Sequence, residues 1–171
     1  PMPEAATRTA ALLAGQIDWI EVPAPDAIPR LRQGGMTIVT NKYPHNWGYH
    51  PSMVEGSPWA DIRVRKAANL AVDRAGLNKL LGGMMIESKG AVYPGHPWFG
   101  APSFDIKYDP EAAKKLLAEA GYGPSKKPKI KIAIATSGRG QMLPLPMNEY
   151  VQANLNAVGF DTQFEVMEWN A

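Results

Sequence analysis

Asp109-Pro-Glu-Ala-Ala-Lys-Lys-Leu-Leu-Ala-Glu-Ala-Gly121-Tyr122, followed by the alternating run Lys129-Ile-Lys-Ile-Ala-Ile134, decides the fold. Asp109 is placed to cap a helix, with Pro110 in its first turn, where a missing N–H costs nothing. Ala113, Leu116, Leu117 and Ala120 recur at helical spacing and form one apolar stripe. Gly121 then ends the helix and Tyr122 folds back on its last turn, the pattern of a left-handed glycine cap. The same order returns downstream. A helix over Met147 to Val158 presents Met147, Val151, Leu155 and Val158 on one side. It stops at Gly159-Phe160, and an alternating strand over Thr162 to Met167 follows. Two helix-glycine-aromatic-strand units in tandem predict layered α/β structure, with a right-handed crossover if the strands are parallel.

Upstream, Glu4 to Gly15 reads as a short helix and Ile17 to Val22 as a strand. Pro25-Asp26 opens a second short helix that closes at Gly34-Gly35, and Met36 to Thr40 is strand-like. Asp61 is a plausible cap for a helix over Ile62 to Arg74, with Val64, Ala67, Ala68, Ala71 and Val72 on one face. A shorter helix spans Ala75 to Leu81. Met84 to Tyr108 carries no periodic signal, and a loop of that length in a compact domain is functional or ordered by packing.

Composition narrows the classes. The chain has 171 residues, 45% of them hydrophobic, which suits one domain with a real core. A net charge of +2 and a charged fraction of 20% predict no acidic or basic tail and no nucleic-acid partner. Lys126, Lys127, Lys129 and Lys131, the densest basic cluster, read as a solvated loop and strand face. No run reaches the roughly 18 apolar residues that a membrane helix needs. The absence of cysteine excludes disulfides, thiolate metal sites and a Cys nucleophile. The opening Pro1-Met2-Pro3-Glu4 is no signal peptide, and both ends look cut from a longer chain.

Three stretches carry a family resemblance: Trp59-Ala-Asp-Ile-Arg63-Val-Arg65-Lys-Ala-Ala-Asn-Leu-Ala-Val-Asp73-Arg74, Tyr108 to Tyr122, and Gly159-Phe160-Asp161. Together they resemble the peptide/nickel family of bacterial extracellular solute-binding proteins, family 5, which includes the oligopeptide- and dipeptide-binding proteins. Gly15-Gln16-Ile17-Asp18-Trp19 is similar to a further segment of that family. The resemblance implies two-lobed clamps without catalytic activity or cofactor. Each lobe is a three-layer α/β/α sandwich on a mixed β-sheet, of the type II periplasmic-binding-protein kind. Residues 1–35 would lie at the crossover from the first lobe, and residues 36–171 would form part of the second, ligand-binding lobe. The implied role is the periplasmic substrate-binding component of an ABC importer. Its partners would be a peptide or similar solute and the transporter's membrane subunits, and its signal peptide would lie outside this sequence. The best-known ligand-anchoring charges of the family would fall downstream of the last strand. A solute-sensing regulatory domain of the same fold is the alternative, followed by a nucleotide-binding enzyme domain.

Candidate contacts come first from Tyr43-Pro-His45-Asn46-Trp47-Gly-Tyr49. Aromatic rings supply apolar area with polar tips, and an Asn can bond a ligand's amides. The competing reading is that these rings pack the core. His96 and Trp98, on a loop stiffened by Pro94, Gly95, Pro97 and Gly100, are the second choice, against packing on their own lobe. His45, His50 and His96 lack the spacing of a zinc site, so no metal is expected. Ala135 to Gln141 has the setting of a phosphate loop but not its Gly-Lys-Ser/Thr ending, and reads as a turn at the sheet edge. Glu165 and Glu168 lie on opposite strand faces and form no acid/base pair. Arg65 with Asp61 or Asp73 reads as an ion pair fixing the helix, not an anion site.

Overall fold

A computed structural model describes residues 2–42, 46–135 and 143–167 of the chain. Helix α1 spans Ala5–Leu13 and α2 spans Ile28–Gln33, entered through a 3₁₀ turn at Pro25–Ala27. Then come α3 (Ile62–Ala71), α4 (Arg74–Leu80), α5 (Pro110–Glu119), strand β1 (Lys129–Ala135), α6 (Pro144–Val158) and β2 (Asp161–Met167).

Both glycine-aromatic stops have the expected geometry. Gly121 has φ 82° and Gly159 φ 115°, values an L side chain resists. The Tyr122 N–H donates to Leu117 O at 2.9 Å and the Phe160 N–H to Leu155 O at 3.2 Å. Each bond reaches back five residues and satisfies a carbonyl that the helix leaves open. Phe160, 1% exposed, thereby enters the core and stacks on Trp59 with ring centroids 6.0 Å apart.

β1 and β2 are parallel, in register from Lys129 opposite Asp161 to Ala135 opposite Met167, so α6 is the crossover between them. Alternation puts Ile130, Ile132 and Ile134 on one face of β1, where Ile130 joins a core built by α3, α5 and α6. The other face carries exposed Lys129, Lys131, Gln163 and Glu165. Lys131 pairs diagonally with Glu165 at 3.5 Å.

This corrects two expectations. Among the described residues the sheet has two parallel strands rather than a mixed set. Among the described residues helices cover one of its faces, the side on which β1 presents its isoleucines. Nor do Ile17–Val22 and Met36–Thr40 form a ladder among the described residues, although their composition favours strands. A strand exists through its hydrogen-bonded partner, and Val22 at φ 48° also breaks the extension of the first run.

Helix boundaries moved for local reasons. α3 stops at Ala71, because Val72 is extended and Asp73 caps α4 by accepting the Gly76 N–H at 2.9 Å. α6 starts at Pro144 rather than Met147, since prolines are tolerated in a first turn. Asp61 and Asp109 cap α3 and α5 as expected. The ion pair at the head of α3 belongs to Arg63, which forks onto both Asp61 oxygens and donates to Glu119 O at 2.5 Å. The Arg63 hydrogen bonds to Asp61 hold that carboxyl below its ordinary range. Arg65 bonds the Trp59 and Ala60 carbonyls instead.

The tightest spot in the packing is Gly76. A Cβ there would collide with the Tyr150 hydroxyl, which donates to Asp73 Oδ2 at 3.1 Å. Gly76→Ala is therefore expected to lower stability by about 1–3 kcal/mol in urea denaturation. Tyr150→Phe in the same chain should recover part of that loss, and strict additivity of the two changes would refute the contact. Gly159→Ala should cost about 1–2 kcal/mol through its left-handed backbone alone.

Candidate functional site

Tyr43 and His45 lie outside the described residues, so the ribbon is read from Asn46 onward. Asn46 is exposed, and its amide N–H donates to Gly90 O in the long loop. Trp47 is half-buried, leans on the core and meets the Tyr49 ring edge-on at a centroid distance of 5.3 Å. Trp47 and Tyr49 thus share a side, as their alternate spacing requires. Tyr49 keeps 38% of its surface exposed, while its hydroxyl donates to Asn148 Oδ1 at 2.5 Å. Asn148 itself is 1% exposed and donates through Nδ2 to Pro144 O at 2.6 Å. Burial pushes the Tyr49 phenol well above its ordinary value, because the charged form would lose water at that end of the ring.

The second candidate segment is a tight turn. The His96 N–H donates to Tyr93 O at 3.1 Å, and the Trp98 N–H donates to His96 Nδ1 at 3.1 Å. Tyr93, His96 and Trp98 form a ring ladder, each neighbour edge-on at 5.3 and 5.4 Å. Lys42 Nζ lies 5.7 Å from the Tyr93 ring centre. Trp98, 84% exposed, ends the ladder in solvent. Lys42–Tyr93 and Asn46–Gly90 bring the two candidate segments against each other, a proximity that the sequence reading did not foresee.

Sequence reasoning missed Asn148. An asparagine beside the apolar positions Met147 and Val151 of an otherwise core-facing helix was the signal available, since a buried amide requires partners. Two shallow depressions among the described residues lie away from the ribbon. One, of about 210 Å³, is lined by Lys129, Ile130, Lys131, Asp161 and Gln163. The other, of about 290 Å³, lies between α1 and the entry to α2. Among the described residues no group of three or more His, Asp or Glu could hold a metal ion, and no helix is long and apolar enough to cross a membrane.

The chain is a mixed α/β fragment that matches part of the fold of type II periplasmic binding proteins. The dipeptide-binding protein from Pseudoalteromonas sp. SM9913, in complex with Met-Leu, superimposes with a TM-score of 0.75 at 24% identity, over 99% of this chain and 33% of that one. The model of bacterial extracellular solute-binding proteins, family 5 middle region, matches residues 1–171, and the chain belongs to that family. Its proteins are non-enzymatic binding proteins. Heme-binding protein A of Haemophilus influenzae is 30% identical over 171 residues, and the dipeptide-binding protein of Escherichia coli is 28% identical over 169. Each alignment takes in 98% of this chain and 31% of the relative, so the chain spans about a third of their length.

The raised Tyr49 phenol fixes the sign of a pH effect. Above the ordinary phenol value of about 10 the unfolded chain loses this proton before the folded one does, so stability falls as pH rises. Urea denaturation between pH 8 and 11 should show a shallower fall for Tyr49→Phe than for the parent. Parallel slopes would place the phenol in open water.

Proposed function

We propose that this chain is part of the substrate-binding component of an ABC importer, gripping a peptide or similar small solute at the Tyr43–Tyr49 ribbon and the Tyr93–Trp98 turn. Residues 1–35 then lie at the crossover from a first lobe, and residues 36–171 contribute to the second. The working compartment is the periplasm, the compartment named for two further relatives from Escherichia coli, a probable deoxycholate-binding periplasmic protein and a periplasmic murein peptide-binding protein.

The observation that carries the reading is family membership along the whole chain, joined to an aromatic ribbon left partly open. Trp47 and Tyr49 are braced from behind by the core and Asn148, while Asn46, Tyr49 and Trp98 face water. Such a wall offers apolar area and polar tips to a solute without rearranging. Capture follows as a population shift: the solute makes contacts in the closed clamp that the open clamp lacks, and closure presents a defined shape to the membrane subunits. A dipeptide is the first solute to test, because one similar protein is named for it, while another is named for heme.

The test is a thermal-shift screen of the full-length protein against dipeptides. A ligand at 100 times its dissociation constant stabilises by about 2.7 kcal/mol. Trp98→Ala should leave the ligand-free melting temperature unchanged, because this ring touches little of the protein, and should weaken the ligand-induced shift. Trp47→Ala should reduce both, since its ring also packs on the core. Parent-like ligand shifts in both variants would remove the two rings from the site.

A further inference from the structure

Two side-chain donors of the Asn46–Tyr49 ribbon are committed inside the chain. The Asn46 amide N–H donates to Gly90 O, and the Tyr49 hydroxyl donates to Asn148 Oδ1 at 2.5 Å. Which end of the Asn148 amide meets the phenol is fixed from behind. Pro144 O can only accept, so the Nδ2 end faces it at 2.6 Å and Oδ1 is left for Tyr49. Oδ1 in turn only accepts, so the phenol has to direct its proton there. Burial resists ionisation of the phenol, which keeps the proton it donates.

Direction follows from burial. Asn148 is 1% exposed, whereas Tyr49 keeps 38% of its surface. A hydroxyl bonded to so buried a side chain points inward, so what Tyr49 shows to water is ring carbon. Trp47 stands beside it with its plane turned by 61° and ring centres 5.3 Å apart, and the two rings make an apolar corner. Such a corner favours an aliphatic or thioether group, whose carbon and sulfur leave water. It offers an amide or hydroxyl no partner for the hydrogen bonds left behind. Had the phenol faced outward, the same residues would have favoured a polar group.

We propose that Asn148 is a positioning residue that sets the solute preference of the ribbon: by holding the Tyr49 hydroxyl inward, it selects an apolar side chain on the solute, seated against the Trp47–Tyr49 corner. This rests on the capture reading above and adds to it the chemical class of the group bound. Asn148 itself touches no solute.

The experiment is a calorimetric titration of the full-length protein with two dipeptides of nearly equal shape, Met-Leu and Gln-Asn. The parent should bind Met-Leu about tenfold or more tightly, because the amides of Gln-Asn lose water without gaining partners. Asn148→Leu frees the phenol to turn outward and should cut that preference by about threefold or more. Tyr49→Phe combined with Asn148→Leu removes both polar partners together and should bring the preference back. A merely loosened fold weakens both dipeptides alike, so the ratio separates positioning from stability. An unchanged ratio in Asn148→Leu, or Gln-Asn binding the parent as tightly as Met-Leu, would overturn the proposal. A second reading needs no solute: in ¹⁹F NMR of fluorotryptophan-labelled protein, the Trp47 resonance should move in Asn148→Leu and return toward the parent in the double variant. A resonance that stays in place would overturn the positioning. Failure of both dipeptides to bind the parent would overturn the solute preference together with the capture reading, while a moved Trp47 resonance would still uphold the positioning.

Discussion

Helix α6 holds the described structure together through side chains pointing to different segments. Asn148 receives the Tyr49 hydroxyl, and Tyr150 donates to the Asp73 carboxylate. Asn154 accepts the Asp73 N–H at 2.7 Å, and Asn156 accepts the Thr162 N–H at 3.0 Å. Gln152 donates to Thr162 O at 2.8 Å. Meanwhile Met147, Val151, Leu155 and Val158 bury its apolar side. Hydrophobic contact alone would let the helix slide or rotate. These directional bonds fix its rotation, and so fix where the ribbon, the α3–α4 corner and β2 sit relative to one another.

The tandem repeat was legible because each part of it is a local rule. An Asp cap, an apolar stripe, a glycine stop and a two-residue alternation all act within a few residues, and both units formed as read. What failed was non-local. Ile17–Val22 and Met36–Thr40 have strand composition, but whether such a run joins a ladder depends on a partner that its own residues do not specify.

The candidate site was legible in kind rather than in detail. Alternation placed Trp47 and Tyr49 on a common side, and they touch. It could not say that Asn46 would spend a donor on Gly90, or that Asn148, about a hundred positions away in sequence, would anchor Tyr49. The stretches that carried the family resemblance have a plainer physical role. Trp59 stacks on Phe160, and Arg63 reaches the last turn of α5, so those motifs meet in one core. They report the fold.

Phe160 serves two elements at once. It is the residue that folds back on α6, and it immediately precedes β2, whose ladder begins at Asp161. No spacer separates the helix stop from the strand, so the helix terminus dictates which β2 side chains look inward. An insertion of a single residue after Phe160 would invert that choice along the strand, sending Thr162 and Phe164 to solvent and Gln163 and Glu165 toward the isoleucines. The joint between α6 and β2 therefore has no slack: its length sets the facing of every residue in the strand.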